Sequence, residues 1–245
     1  MLRLLPWLAL LVVVAFPAPA AIAAGLATYS LDPVHTRVLF AVEHAGFSQA
    51  LGTVSGSTGT LRFDPDDWTT ATLQAEVPLH RLDLGDARWN RATLARNLLD
   101  VDAHPVARFT STHVEPLAAD RARVHGLLEL RGISREVVLD VRLNALKRHP
   151  LPPFRRTAGF SATTTLSRAD FGITAWKSVV GDTVKLRIEA EATRTQGDGG
   201  DTLEETPAAD HTPEQAAEAA ADTGDAPVAE PEAKPQAVAA EPPCC

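Results

Sequence analysis

Cysteine is missing from this 245-residue chain until its last two positions, Cys244 and Cys245. Everything ahead of them must fold without disulfides, which a domain of this size can do, and offers no cysteine nucleophile. No Gly-x-Ser-x-Gly elbow and no phosphate-cradling Gly-rich loop occurs, so serine-hydrolase and nucleotide chemistry have no anchor. The eight His fall at 35, 44, 80, 104, 113, 125, 149 and 211, with no ligand spacing such as His-Glu-x-x-His; no metal or cofactor is expected. Aromatic residues are only 5% of the chain, and basic residues are spread out instead of clustering with them. That argues against a nucleic-acid partner. A long apolar run is also lacking: Leu8–Phe16 falls short of the ~20 residues a membrane span needs.

What is there divides the chain into three. Arg3, the apolar run to Phe16, Pro17, Pro19 and the small residues Ala20–Ala24 read as a signal peptide over 1–23, cleaved after an Ala-x-Ala site. No Cys follows that run to take a lipid, so the mature protein is expected to be free of a membrane anchor, in the periplasm or secreted. Residues 196–245 carry 12 acidic side chains against one basic, Lys234, with one Leu and no aromatic. Such a segment cannot bury enough apolar surface to offset its ordering entropy, so a disordered, self-repelling tail is expected. With the tail and Arg3 set aside, 21 basic and 19 acidic residues remain. The acidic balance of the chain therefore belongs to the tail. Cys244-Cys245 is either an idle exposed pair or a disulfide between two copies, which would make a homodimer.

The body, 27–195, is written in period two. Ala122, Val124, Gly126, Leu128 and Leu130 alternate with Arg123, His125, Leu127 and Glu129; Val137, Leu139, Val141 and Leu143 do the same beyond Arg131-Gly132. Strands put successive side chains on opposite faces, so this is a hairpin with one apolar face. Similar alternation marks 36–43, 51–63, 71–77, 106–114, 159–166 and 183–192. Gly52, Gly56 and Gly59 inside the second of these signal bends. The stretch 84–100 lacks the alternation and reads as one inserted helix, capped by Asp86, with Leu94 and Leu98 on one face. Eight amphipathic strands without helical crossovers predict an all-β, eight-stranded antiparallel barrel, the size at which the interior holds either packed side chains or one small ligand.

Four stations carry a resemblance. Asp32-Pro33-Val34-His35 ahead of an aromatic strand, Asn97-Leu98-Leu99-Asp100…His104-Pro105…Phe109, Val124-His125-Gly126-Leu127-Leu128-Glu129-Leu130-Arg131-Gly132-Ile133, and Arg168-Ala169-Asp170-Phe171-Gly172-Ile173 with Val180-Gly181-Asp182-Thr183-Val184 resemble, in that order, the YceI-like family. The resemblance implies an elongated lipocalin-like barrel that binds polyisoprenoid or quinone-type lipids in bacterial envelopes. Relatives usually carry Phe-Phe where this chain has Leu98-Leu99.

A long-chain lipid needs an apolar tunnel, since burial contributes ~0.8 kcal/mol per methylene. Expected lining residues are Phe40, Val42, Phe63, Phe109, Leu128, Phe160 and Leu186 from the strands. Leu94, Leu98, Phe171, Ile173 and Trp176 would close the mouth. Each could equally be ordinary barrel core. Arg168 could clamp its turn together with Asp170 or meet a quinone or phosphate head group. His35 is expected to hydrogen-bond beside Asp32 without holding a metal. The function expected is an exported lipid carrier, not an enzyme. Two rivals remain: a barrel hydrolase or isomerase using His35, Asp170 and Arg168, and a filled scaffold whose tail recruits partners.

Overall fold

Period-two writing becomes eleven extended segments in the computed structural model, which describes residues 25–195. The leader, the tail and Cys244-Cys245 lie outside these residues. The segments are β1 (Ala27–Leu31), β2 (Arg37–His44), β3 (Ser48–Ser55), β4 (Thr58–Phe63), β5 (Thr72–Pro78), β6 (Leu82–Asp83), β7 (Val106–Ala118), β8 (Arg121–Leu130), β9 (Ile133–Arg148), β10 (Arg156–Ser167) and β11 (Val180–Arg194). Three pairs of them are single staves broken by a bend. Pro33–Thr36 interrupts β1/β2; Gly56, at φ +79, turns β3 into β4, where a glycine is needed for the left-handed backbone; a 3-10 turn separates β5 from β6.

Counted as staves, the barrel has the expected eight, all antiparallel, and it closes on itself. One edge of β11 pairs with β10; the other pairs with β2 through Val180–Glu189 and then with β1 at Ala192–Arg194. Closure removes the exposed sheet edges that invite aggregation. On the far side, pairing of β5 with β7 stops at Pro78 and Val106, and β6 pairs only with β3. The wall therefore parts toward one end, and residues 84–105 span the gap.

Two corrections concern local structure. The opening strand β1 was not anticipated, although Ala27, Tyr29 and Leu31 alternate and are buried. The helix is α1 (Ala87–Leu94), shorter than the expected 84–100 and, among the described residues, the one α-helix. Asp86 caps it as expected, accepting from the Arg88 and Trp89 amides at 2.9 and 3.0 Å. Ala95 turns extended, and the chain coils back through hydrogen bonds such as Leu98 to Ala95 and Val101 to Leu94. A helix through residue 100 would run on for ~9 Å at 1.5 Å per residue. The chain must instead return to start β7 beside β5. Leu98 consequently enters the core from a turn and not from a helix face.

One end of the barrel is solid. Small inward residues (Ala27, Ala122, Ala158 and Ala192) make room for a buried plug of Tyr29, Phe63 and Trp68. Phe63 meets Trp68 and Phe160 edge-on, with centroids 5.0 and 5.5 Å apart. Such pairs add ~1 kcal/mol beyond area burial. This is the floor.

Candidate functional site

Above the floor the same inward parity has a different outcome. Val38, Phe40 and Val42 of β2 pair directly with Ile188, Leu186 and Val184 of β11, and all six are only half-buried. In a closed barrel, inward side chains can be reached by solvent only through the interior. An apolar chamber therefore lies between the floor and the open end. Opposite stands the wall of β7 and β8, where Phe109 pairs with Leu128. Two glycines shape the walls. A Cβ at Gly52 would lie 2.3 Å from the Phe40 ring, and one at Gly126 would lie 2.4 Å from the Phe109 ring, so each ring occupies the space a side chain on the neighbouring strand would take.

The structure thus brings Phe40, Val42, Leu186, Phe109 and Leu128 to facing walls of one space. Leu98, Phe171 and Ile173 are buried at its mouth, Leu94 is half-buried, and Trp176 is exposed on the rim. Phe63 and Phe160 belong to the floor, not to the walls. Sequence reading leaves out Val38, Val184, Ile188 and Leu130, which share the inward parity of their strands, and the two glycines, whose partners only the pairing reveals.

Arg168 is a clamp, but not with Asp170. The residue is 6% exposed, and its guanidinium donates to four carbonyls: Gly181 (Nε, 2.8 Å), Ile173 and Ala175 (Nη1, 2.9 and 2.8 Å) and Val180 (Nη2, 2.7 Å). This nearly exhausts the guanidinium donors and leaves little for a head group. Asp182 completes the turn by accepting from the Ala169 amide at 3.0 Å. Arg131 does similar work unforeseen from the sequence, tying the Gly172 and Arg96 carbonyls together at 3.0 Å each across the mouth.

His35 sits at the β1/β2 bend, its Nδ1 2.7 Å from Asp32 Oδ2, while Asp32 Oδ1 accepts from the Val34 and His35 amides. Donor atoms of Asp32, His35 and Glu191 lie within 4.8 Å of one another, near enough to embrace a cation. Asp32 is nevertheless already spent on the turn. The hydrogen bond to Asp32, aided by its charge, holds the His35 imidazole above its ordinary 6.5. Partial burial alone would raise Asp32, but the bonds from His35 and the two amides outweigh it and leave the carboxyl below its ordinary 3.8. The pair's stabilisation is therefore full below about pH 6.5 and fades as pH rises through the raised His35 value; on the acid side it fades as pH falls through the lowered Asp32 value. An NMR titration should place His35 above 6.5, and Asp32→Asn should return it toward 6.5.

His35 lies beside Glu191, whereas Arg168 bonds Gly181. These landmarks on β11 are ten residues apart, or roughly 33 Å at ~3.3 Å per residue. His35 and Arg168 do not form one catalytic site.

A closed antiparallel barrel with a solid floor, a loop-covered mouth and an apolar chamber between them is of the lipocalin-like class. Within that class the chain belongs to the YceI-like family, whose domain matches residues 29–192. A UPF0312 protein of Pseudomonas savastanoi pv. phaseolicola is 32% identical over 139 residues, covering 57% of this chain and 71% of that one. Another, from Ectopseudomonas mendocina, is 29% identical over 170 residues, 69% of this chain and 88% of its own. Among solved structures, Burkholderia cenocepacia BcnA shares the fold at TM-score 0.60 and 22% identity, covering 66% of this chain and 99% of that one. A polyisoprenoid binding domain from Saccharophagus degradans does so at TM-score 0.52 and 17% identity, covering 70% and 100%.

Proposed function

We propose that this protein is an exported carrier that holds a polyisoprenoid, a quinone or a similar long-chain amphiphile in the barrel chamber. The observation that carries the reading is the half-exposed inward wall of Val38, Phe40, Val42, Val184, Leu186 and Ile188 above a sealed floor. Apolar side chains kept in contact with solvent inside a closed barrel gain from a chain that displaces the water, by ~25 cal/mol per Å² covered. The polyisoprenoid-binding neighbour supports the same ligand class. Binding, not catalysis, is the proposed role, because His35 and Arg168 are each committed to a turn and stand far apart along β11. The leader argues for a periplasmic or secreted address.

Extraction of the protein, purified from its bacterial host, followed by mass spectrometry should yield a long-chain lipid in reproducible ratio to protein. Lipid-free protein that also takes up no prenyl or quinone analogue overturns the reading.

A further inference from the structure

Arg131 is placed unlike the other arginines of the barrel. Arg108, Arg123, Arg142 and Arg187 are exposed, and each has a carboxylate oxygen 2.7–3.5 Å away. Arg168 is buried, but its guanidinium is filled by four carbonyls. Arg131 is half-buried and has neither arrangement. Its Nη1 and Nη2 each give one bond, to the Gly172 and Arg96 carbonyls, and its Nε is shut away from solvent without an acceptor. A guanidinium has five N–H donors, so most of this one is unspent. No carboxylate of the described residues forms an ion pair with it. A cation drawn out of water without a counter-charge is costly, and an unfilled buried donor adds to the cost.

Its place in the fold gives that unspent charge a use. Arg131 follows Leu128 and Leu130, which share the inward parity of β8, and it opens the turn into β9 at φ +53, with Gly132 at φ +72. The guanidinium reaches between the two loops that cover the mouth, touching one at Arg96 and the other at Gly172. Gly172, at φ +70, leaves room for it: a Cβ there would lie 3.4 Å from Arg131 Nη1 and 3.2 Å from the Ile133 side chain. The buried Leu98, Phe171 and Ile173 lie within two residues of these two carbonyls along the chain. An uncompensated cation set among apolar side chains, at the entry to an apolar chamber, suits a molecule with a hydrocarbon tail and an acidic end.

We propose that Arg131 receives the acidic head group, a phosphate or a carboxylate, of a long-chain lipid whose tail lies in the chamber. The assignment rests on the carrier reading and narrows it to acidic amphiphiles. A loop-covered mouth parts to admit a chain, and parting uncovers the Nε–H. That donor and a neighbouring Nη–H can then take two oxygens of one oxyanion, the geometry in which guanidinium binds such groups best. A neutral quinone or alcohol could accept a hydrogen bond there but would leave the charge uncompensated.

Full-length protein holding a neutral fluorescent prenyl analogue is titrated with geranylgeranyl phosphate, geranylgeraniol, palmitate and hexadecanol. At least one acid should displace the analogue at a concentration about tenfold or more below that of its matching alcohol, and the ratio should shrink in high salt. The pair with the larger ratio identifies phosphate or carboxylate as the head group. Arg131→Gln should bring the ratio close to one, and Arg131→Lys should keep much of it. Ratios near one for both pairs in the parent overturn the assignment, and that comparison does not depend on any variant folding. A ratio that survives Arg131→Gln overturns it too, even if all affinities fall, because Arg131 would then only clip the two loops together. Binding without discrimination leaves the carrier reading intact. Failure of the analogue and of all four compounds to bind overturns the carrier reading and the head-group site with it.

Discussion

Arg168→Ala is expected to be the most destabilising single change at the mouth, lowering the melting temperature by roughly 10 °C. The cause is what remains behind. Four carbonyls, those of Ile173, Ala175, Val180 and Gly181, converge on a head that is almost wholly buried. Removing it strands acceptors that the loop cannot turn back to water without unwinding. A bond to a charged donor contributes about 1.5–3 kcal/mol, and a buried acceptor left unsatisfied costs about 1–3 kcal/mol, so stranding several of them costs several kcal/mol. At 2–4 °C per kcal/mol for a domain of this size, that gives the stated shift. Arg168→Lys should rescue little, since one ammonium cannot serve four carbonyls in a fork. Asp170→Ala should be nearly silent, because Asp170 is not the clamp's partner. Calorimetry on the three variants tests this. A melting point for Arg168→Ala within 2–3 °C of the parent would mean that the loop does not depend on the clamp.

How much of this was legible beforehand follows from what a period of two encodes. Alternation in β8, β9 and β11 settles which side chains face inward, and closure into eight staves follows from having amphipathic strands without crossovers. Gly56 announced its bend for the same local reason. Depth along the axis is another matter. Phe63 and Phe40 are both inward aromatics on neighbouring staves, with nothing local to tell them apart. One is floor because Trp68, from a loop, caps it; the other is wall because its half of the barrel lies beside the gap beyond Pro78. Arg168 was legible as a turn-fixing residue, but not its partners, since carbonyls carry no signature in side-chain letters. The Leu94/Leu98 spacing fitted a helix, and the need to return to β7 overrode it.

Depth is what separates the largest expected functional effect from an equally large structural one. Leu186→Glu places a carboxylate on the chamber wall directly across from Phe40. With the chamber filled by water, the charge stays solvated and the fold should lose little, about 1 kcal/mol or less for a half-buried wall position. An apolar ligand must strip that water, and the cost of an unpaired carboxylate against a hydrocarbon chain is several kcal/mol. Uptake of a prenyl analogue should therefore fall by about 100-fold or more with a nearly unchanged melting curve. Phe63→Ala should behave the other way. It opens a cavity under the Trp68 and Phe160 rings and should cost about 3–5 kcal/mol of stability. The protein that remains folded should keep its affinity within a few-fold, because the walls are intact. Equilibrium unfolding and analogue titration on the same two variants decide it. If Leu186→Glu binds as the parent does, the ligand does not occupy this chamber; if Phe63→Ala loses binding while still folded, the chamber reaches down to the floor.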